Sequence, residues 1–220
     1  TAMLRNKTTK TDQEKRAERE WYWSPDAELT AERAACRKVI DVFNSTSATK
    51  CSGDDQSALL KQLLGGEERA SIGPNCAIMP PFQCDYGYNI KLGSGVWINY
   101  NCCFLDVCPV IIGDRTLFGP GVQIYTVNHP LDPRERATLK EKGKPVVIGK
   151  DVWIGGSAII LAGVTIGDGT TIGAGSVVTH DIPSGVLAVG NPCRVIRHLN
   201  AVAAVGDDIS PSSSTTTISN

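Results

Sequence analysis

Histidine is the side chain best suited to accept a proton near neutral pH, and the chain contains three of them. His129 lies between Ile124 and Val147, in a stretch of about twenty residues that interrupts an otherwise regular repeat. Insertions of this length in a compact fold are usually functional or disordered. The position of His129 therefore indicates a general base. His180 and His198 lie near the end of the repeat, where binding or surface roles are favoured.

The composition excludes several functional classes. The chain has 220 residues, 41% hydrophobic content and a formal net charge of -1. This suits one sizeable core and argues against nucleic acid as the main partner. No segment approaches the roughly 20 apolar residues needed to cross a bilayer, and the charged start has no apolar signal-peptide core. We therefore expect a cytoplasmic protein with no membrane partner.

The eight cysteines predict neither a metal site nor a disulfide framework. Cys102 and Cys103 are adjacent, and the others show none of the paired spacings that are typical of zinc sites. Free thiols in a reducing cytosol, with no bound metal, are the expected state.

The element that must position His129 is predicted by a six-residue period. An aliphatic residue recurs at every sixth position, and the residue four places later is always small or β-branched. The series is Ile148, Ile154, Ile160, Ile166, Ile172 and Val178. Three such units close one triangular coil, which buries little apolar surface until the next coil stacks on it. A weaker run in the same period comprises Leu92, Ile98, Phe104, Ile112, Phe118 and Ile124.

These runs predict a mainly β protein, a parallel β-helix of about five coils. A β-sandwich would instead show strict alternation and hairpin turns. Two helices are predicted ahead of the prism. The first begins with Ser24 as N-cap and Pro25 in the first turn, and the second ends at Gly65 and Gly66. They are expected to cap the open end of the β-helix.

The chain therefore divides into four predicted segments. Residues 1–20 form a charged, partly disordered lead-in, and residues 21–68 form the helical capping region. The β-helix occupies 69–199, with an inserted loop at 125–146. The serine- and threonine-rich end, 200–220, is expected to be a disordered tail.

Five motifs are more specific than the repeat. They are Cys-Asp-Tyr-Gly-Tyr-Asn at 84–89, Asn-Tyr-Asn-Cys-Cys-Phe-Leu-Asp at 99–106, Asn-His-Pro at 128–130, Asp-Val-Trp-Ile-Gly-Gly at 151–156 and Gly-Asn-Pro-Cys-Arg-Val-Ile-Arg at 190–197. In these motifs the chain resembles the hexapeptide-repeat acetyltransferases of the maltose and galactoside O-acetyltransferase family, which includes the nodulation-factor acetyltransferases. The resemblance covers about Trp21 to Leu199. It implies a left-handed parallel β-helix, a departure from the right-handed crossover rule, and a homotrimer with active sites at the subunit interfaces.

The same resemblance implies transfer of acetyl from acetyl-CoA to a hydroxyl group of a sugar such as maltose, glucose or a galactoside. His129 matches the family's catalytic histidine, which takes the proton of the attacking hydroxyl. The backbone N–H of Gly156 matches a donor to the oxyanion, at a place where serine is common in relatives. Asn99 matches an asparagine that lies beside both substrates.

On the acceptor side, Asp85 and Asp106 match polar positions whose carboxylates suit sugar hydroxyls. The second contact falls at either Asp106 or Val107. Acceptor choice depends on loop shape and a few side chains, so a xenobiotic, an amino acid or a secondary metabolite with a hydroxyl group is an open alternative.

The coenzyme is expected in the groove between neighbouring prisms. By resemblance it contacts Trp153, Gly155, Gly156, Ala174, Thr179, His180, Arg194 and Arg197. The two arginines would bind the nucleotide phosphates, and His180 stands where some relatives carry lysine. The phase of the repeat points Trp153 outward, where it either stacks on the ligand or packs under the His129 loop.

Two further alternatives use the same prism. A zinc lyase of the carbonic-anhydrase kind needs three histidine ligands, and the histidines here are wrongly spaced. A noncatalytic scaffold is the other alternative, and the intact His129 loop argues against it.

Overall fold

The computed structural model of the protein describes residues 10–46 and 53–199. The expected tail at 200–220 and the first nine residues of the lead-in lie outside the described residues. Within them, the helices are α1 (Asp12–Ala17), α2 (Ala27–Ser45), α3 (Gly53–Leu63), α4 (Gly66–Arg69) and α5 (Pro133–Arg136).

The strands are short and run through the rest of the chain. They are β1 (Tyr22–Trp23), β2 (Ser71–Ile72), β3 (Ala77–Ile78), β4 (Phe82–Cys84), β5 (Ile90–Leu92), β6 (Trp97–Ile98), β7 (Cys102–Leu105), β8 (Val110–Ile112), β9 (Leu117–Phe118), β10 (Gln123–Tyr125), β11 (Val127–Asn128), β12 (Lys140–Gly143), β13 (Val146–Ile148), β14 (Trp153–Ile154), β15 (Ile159–Ile160), β16 (Thr165–Ile166), β17 (Thr171–Ile172), β18 (Val177–Val178), β19 (Val186–Val189) and β20 (Arg194–His198).

Three parallel sheets form the faces of a prism. In order, they contain β2-β5-β8-β13-β16, then β3-β6-β9-β14-β17-β19, then β4-β7-β10-β15-β18. Strand β20 adds to the second sheet antiparallel to β19. The chain is thus a mainly β solenoid of about six turns, which confirms the predicted parallel β-helix of hexapeptide repeats with a small helical cap.

The prism has about six coils, close to the expected number of about five. In the first coil, which lies within the predicted bounds of 69–199, Ile72, Ile78 and Cys84 pair in register with the inward residues of the next coil. A cysteine in the third inward position hides the aliphatic period there.

The predicted inward series forms the core of the prism. All six aliphatics from Ile148 to Val178 are at most 1% exposed. The polar members of the small-residue series are buried as well and are satisfied locally. The Thr170 hydroxyl donates to the Pro183 carbonyl and the Ser176 hydroxyl to the Gly173 carbonyl, both at 2.7 Å. Small polar residues therefore fill the interior without leaving an unpaired hydroxyl.

One corner of the prism is too tight for a side chain. A Cβ atom on Gly155 would lie 2.4 Å from the backbone nitrogen of Ala174, and one on Gly119 would lie 2.5 Å from that of Gly156. Position 175 favours glycine for a different reason. Its φ is +68°, which suits glycine, while the space around an added Cβ atom would be open. Successive coils are in backbone contact at this corner.

The helical cap packs on the first coils through α2. The predicted apolar stripe is buried: Leu29, Cys36, Ile40 and Phe43. The N-cap is Asp26 rather than the expected Ser24, since the helix begins at Ala27. The Asp26 carboxylate accepts from the N–H groups of Glu28 and Leu29.

The stretch expected to be a charged lead-in contains helix α1. Thr11 and Glu14 form a capping box at its start. Arg16 is buried, with its guanidinium carbon 4.2 Å from the ring centre of Tyr86, and it donates to the Tyr88 hydroxyl at 2.7 Å. The helix therefore packs against residues of the prism instead of being uniformly solvated.

The inserted loop is structured as well. It contains β11, α5 and β12, and these strands join β1 in an antiparallel sheet of order β1-β12-β11. The loop that carries His129 is thus tied to the N-terminal segment of the cap. Among the described residues, no helix has the length and apolar character to cross a membrane.

Candidate active site

A row of three side chains crosses the small antiparallel sheet. Tyr22 on β1 pairs with Glu141 on β12, and Asn128 pairs with Lys142, so His129 lies opposite Glu141. The Tyr22 hydroxyl donates to Glu141 Oε2 at 2.7 Å. His129 Nε2 lies 3.9 Å from Glu141 Oε1, an ion-pair distance for a protonated imidazole.

Burial differs sharply along this row. Tyr22 is fully buried, and burial together with its hydrogen bond to Glu141 raises the pKa of its hydroxyl. Tyr22 therefore remains a neutral donor that fixes the Glu141 carboxylate. Glu141 is 18% exposed and His129 is 50% exposed at the side chain. The arrangement can stabilise a positive charge on an imidazole that substrate can reach.

His129 lines an open cavity of about 400 Å³. The wall is completed by the outward face of the small sheet and the loop, including Trp21, Asn128, Glu135 and Lys142. Lys142 Nζ lies 6.0 Å from the ring centre of Trp21. An aromatic face beside polar groups is a surface suited to a sugar ring.

Asp85 and Asp106 have different roles. Asp106 is 0% exposed, and its Oδ1 accepts from the backbone N–H groups of Asp85 and Tyr86 at 2.9 and 2.8 Å. Val107 is also buried. The expected direct contact of Asp106 or Val107 with the acceptor stays a prediction, and it is not favoured by their exposed fractions of 0% and 6%.

Asp85 is the accessible member of the pair. Burial raises the pKa of its carboxyl, Arg33 opposes that shift, and the charge of Glu141 adds to it. Asp85 is therefore near enough to Glu141 for their charges to interact. Asp106 fixes the backbone from which Asp85 projects.

Asp106 predicts a pH dependence of stability. Burial raises the pKa of Asp106 to about 7, with a further rise from the charge of Asp85. The folded state therefore holds a proton that the unfolded state releases above about pH 4, so the Asp106 contribution to stability falls as pH rises from 4 to 7. Asp106→Asn keeps the acceptor oxygen but cannot ionise. The difference in free energy of unfolding between Asp106→Asn and the parent should therefore shift in favour of the variant by about 2–4 kcal/mol from pH 4 to pH 8.

Urea denaturation at a series of pH values measures this difference. Asp106→Leu is the comparison variant, since it lacks the acceptor and should be destabilised at every pH. A gap between Asp106→Asn and the parent that does not change with pH contradicts the prediction.

A second set of groups lies on the tight corner of the prism. The Gly155 N–H donates to the Ile172 carbonyl at 2.7 Å. The N–H groups of Gly156 and Ala174, one coil apart, donate to no other described residue. Asn99 occupies the same corner one coil earlier than Gly119, and its Oδ1 accepts from the Tyr100 N–H at 2.9 Å. The corner thus presents free backbone donors in a line.

The remaining predicted coenzyme residues extend from this corner. Trp153 is 57% exposed and points outward between Leu117 and Thr171 of the neighbouring coils. It is not packed under the His129 loop in the manner of a core residue. Thr179 Oγ1 and His180 Nδ1 are 2.8 Å apart at the third face. Arg194 and Arg197 are exposed on β20.

The two sets are separate within one chain. Among the described residues, no hydrogen bond or ion pair joins His129 to Asn99, Gly156 or the arginines of β20. Nor is any group of three or more His, Cys, Asp or Glu in that part of the chain placed to hold a metal ion.

The sequence motifs gave no sign of Glu141, Tyr22 or Arg16. Glu141 lies in a charged stretch between two lysines, and Tyr22 precedes the first cap helix. Only the β1–β12 pairing brings them together. The alternation Lys-Glu-Lys is a weak strand signal, but it does not identify the partner strand.

Comparison with known proteins adds to this geometry. A family model for bacterial transferase hexapeptide repeats matches residues 145–180, and one for the maltose acetyltransferase hexapeptide capping motif matches residues 15–67. The chain is 47% identical over 187 residues to nodulation protein L of Rhizobium meliloti, which covers 85% of this chain and 98% of that protein. The chain belongs to the maltose and galactoside O-acetyltransferase family.

Solved structures of this family agree with the fold. A maltose O-acetyltransferase from Clostridium difficile is 45% identical, with a TM-score of 0.81 and coverage of 86% of this chain and 98% of that one. A galactoside acetyltransferase solved in complex with coenzyme A is 33% identical, with a TM-score of 0.81 and coverage of 87% and 92%. As a member of this acetyltransferase family the protein is an acyltransferase.

Proposed function

We propose that the protein transfers acetyl from acetyl-CoA to a hydroxyl group of a sugar, such as maltose, glucose or a galactoside, with His129 as the general base. The observation that carries this proposal is the Tyr22–Glu141–His129 row beside an accessible cavity. The relatives named above as maltose and galactoside acetyltransferases support the choice of a sugar.

Each part of the site has a place in the reaction. His129 takes the hydroxyl proton as the oxygen attacks the thioester carbonyl, and Glu141 stabilises the imidazolium that results. The free N–H of Gly156 donates to the oxygen on which negative charge develops. Imidazolium then returns the proton to the departing thiolate. The Asp85 carboxylate accepts hydrogen bonds from the sugar hydroxyls, and the Asn99 amide both accepts and donates them, which orients the sugar.

Glu141 is expected to act through His129. Glu141→Gln keeps the shape but removes the charge, so kcat should fall roughly tenfold, as for the loss of an ion pair worth about 1.4 kcal/mol. Steady-state kinetics with both substrates varied measure the fall in kcat.

Glu67→Gln is the matched control, since Glu67 lies on α4, outside the row and the cavity, and its side chain is 85% exposed. It should leave kcat within about twofold of the parent, as expected for a surface substitution. An unchanged kcat for Glu141→Gln removes Glu141 from the mechanism.

The coenzyme is proposed to lie along the tight corner and β20. The free N–H groups of Gly156 and Ala174 suit the amides of a pantetheine arm, with Gly155, Trp153, Thr179 and His180 beside it.

Arg194→Ala should raise KM for acetyl-CoA roughly tenfold or more, because a charge-assisted contact with phosphate is lost. The KM for the acceptor should not change. Arg197→Ala should behave in the same way. The control is Arg134→Ala, which removes an exposed arginine paired with Asp132. If Arg194→Ala or Arg197→Ala raises the KM values of both substrates equally, the phosphate role is wrong.

The proposal includes a homotrimer with shared active sites, and the surface of the second sheet supports an interface between copies of the chain. Trp97, Leu117 and Trp153 are stacked in register on its outer side, each about half exposed. A continuous column of large apolar side chains is typical of a protein interface. Such contact would also bring the His129 row of one chain toward the corner donors of the next. Analytical ultracentrifugation measures the assembly, and a monomer at micromolar concentration would contradict it.

The test of the proposed function is consumption of acetyl-CoA in the presence of sugars, glycosides and other hydroxylated small molecules. Turnover with a sugar, with mass spectrometry showing one added acetyl group, is the expected result. Turnover only with a different hydroxyl class would keep the chemistry and replace the acceptor. Absence of turnover with every hydroxyl class would overturn the proposal.

A further inference from the structure

Two thiols lie next to Asp85, on the acceptor side of the site. The Sγ atoms of Cys36 on α2 and Cys84 at the end of β4 are 3.7 Å apart. Cys36 is 7% exposed and Cys84 is partly buried. Both are free thiols in this structure. Cys84 immediately precedes Asp85, so this pair adjoins the carboxylate assigned to the acceptor.

The pair is held in place by the packing of α2 on β4. Asn44 Nδ2 donates to the Phe82 carbonyl at 2.9 Å, and the Phe82 N–H donates to Asn44 Oδ1 at 2.8 Å. Asn44 lies eight residues after Cys36 on the same helix, and Phe82 lies two before Cys84. The two elements are therefore fixed side by side, which keeps the sulfurs within contact of each other.

We propose that Cys36 and Cys84 are a modification site, at which hydrogen peroxide forms an intramolecular disulfide that ties α2 to β4 and weakens acceptor binding. One thiol reacts with peroxide to give a sulfenic acid and water. The second thiol attacks that sulfur, forms the disulfide and releases a second water. The two sulfurs together lose two protons and two electrons, and the peroxide is reduced to two waters. A small oxidant is required because the pair is largely shielded.

The link between the disulfide and the acceptor is mechanical. A disulfide bond is about 2.05 Å long, so the sulfurs must approach each other by more than an ångström. Asp85 is bonded to Cys84, and its N–H is held by Asp106 at 2.9 Å. Movement of Cys84 therefore strains this anchor and shifts the Asp85 carboxylate relative to Glu141 and His129. This effect on catalysis rests on the proposed role of Asp85, whereas formation of the disulfide does not.

Peptide mapping of the native full-length protein tests the site. The reduced protein is titrated with hydrogen peroxide, the remaining thiols are alkylated, and the digest is examined without reduction. The expected product is a Cys36–Cys84 linked peptide that is two hydrogen atoms lighter than its separate parts. Acceptor KM should rise roughly tenfold, KM for acetyl-CoA should stay within about twofold, and dithiothreitol should reverse the change.

Single variants separate this site from the other cysteines. Cys36→Ser and Cys84→Ser should each abolish the linked peptide and the change in KM. If either fails to fold, Cys36→Ala and Cys84→Ala replace the thiol with a small apolar group. Cys103→Ser should retain both effects, because Cys103 lies on the neighbouring strand, in register with Gln83 rather than Cys84.

Three outcomes overturn the proposal. The first is that no Cys36–Cys84 peptide forms in the native protein under conditions that oxidise a free thiol. The second is that it forms only after denaturation. The third is that it forms while acceptor KM stays constant in an enzyme that does use a sugar. If the protein uses no sugar, the peptide map still shows whether the Cys36–Cys84 disulfide forms. Failure of the proposed function is therefore distinguishable from failure of the proposed modification site.

Discussion

Replacing His129 by alanine is expected to lower kcat by roughly 10³-fold, within the range that general-base catalysis contributes. The side chain is half exposed, and its ion-pair partner Glu141 keeps its hydrogen bond to Tyr22 in the variant. The free energy of unfolding should therefore change by no more than about 0.5 kcal/mol. Loss of activity without loss of stability separates a chemical role from a structural one.

The measurement is single-turnover and steady-state acetyl transfer at saturating acetyl-CoA, with thermal unfolding of the same preparations. His198→Ala is the matched control, because His198 is exposed on β20 and belongs to neither set of site residues. It should retain kcat within about twofold, as expected for a surface substitution. If His129→Ala keeps full acetyl transfer, the mechanism is wrong although the fold assignment stands.

Replacing Gly155 by alanine is expected to destabilise the prism by about 3 kcal/mol or more, which would leave little folded protein at 37 °C. The added Cβ would lie 2.4 Å from the Ala174 nitrogen. The Cβ is fixed rigidly to the Gly155 backbone and the nitrogen is part of the Ala174 backbone, so neither atom can rotate away. The shift needed to separate the coils would also break the Gly155 hydrogen bond to Ile172.

Gly175→Ala is the matched substitution, at the residue that directly follows Ala174. Its Cβ would have open space, and only its φ of +68° is unfavourable, at a cost of about 1–2 kcal/mol. Urea denaturation of both variants compares a steric with a conformational penalty. Equal midpoints would contradict the claim that the coils are in backbone contact at this corner.

The sequence predicts the prism well because its signal is local and repeated. An inward aliphatic residue recurs every six positions, so even a weak preference for aliphatic residues becomes a clear pattern over many units. Where one unit departs from the pattern, as at Cys84, the quoted aliphatic series begins one coil late, at Leu92. The N-cap of α2 was predicted two residues early, because Ser24 and Asp26 are both good capping residues and the sequence alone does not choose between them.

The candidate site was predictable only in part. The motifs identify His129, Asn99 and Gly156 as positions of interest, because the resemblance carries them residue by residue. They cannot identify Glu141 or show that Asp106 is buried, since both facts depend on contacts between distant segments. Burial of a carboxylate is a property of the packed structure, and aspartate in a sequence is expected at the surface.

The β1–β12 pairing has a consequence for the order in which the molecule folds. Tyr22 and Glu141 are separated by 119 positions, whereas corner contacts such as Lys150 with Asp168 span only 18. Stacked coils can nucleate locally and propagate, but a strand pair that closes so long a loop must wait for the elements between its ends. We therefore expect the histidine row to assemble after the coils that lie between its strands. A newly made chain can bury its prism while it is still catalytically silent, and the same sheet is the natural place for the first local opening of the finished enzyme.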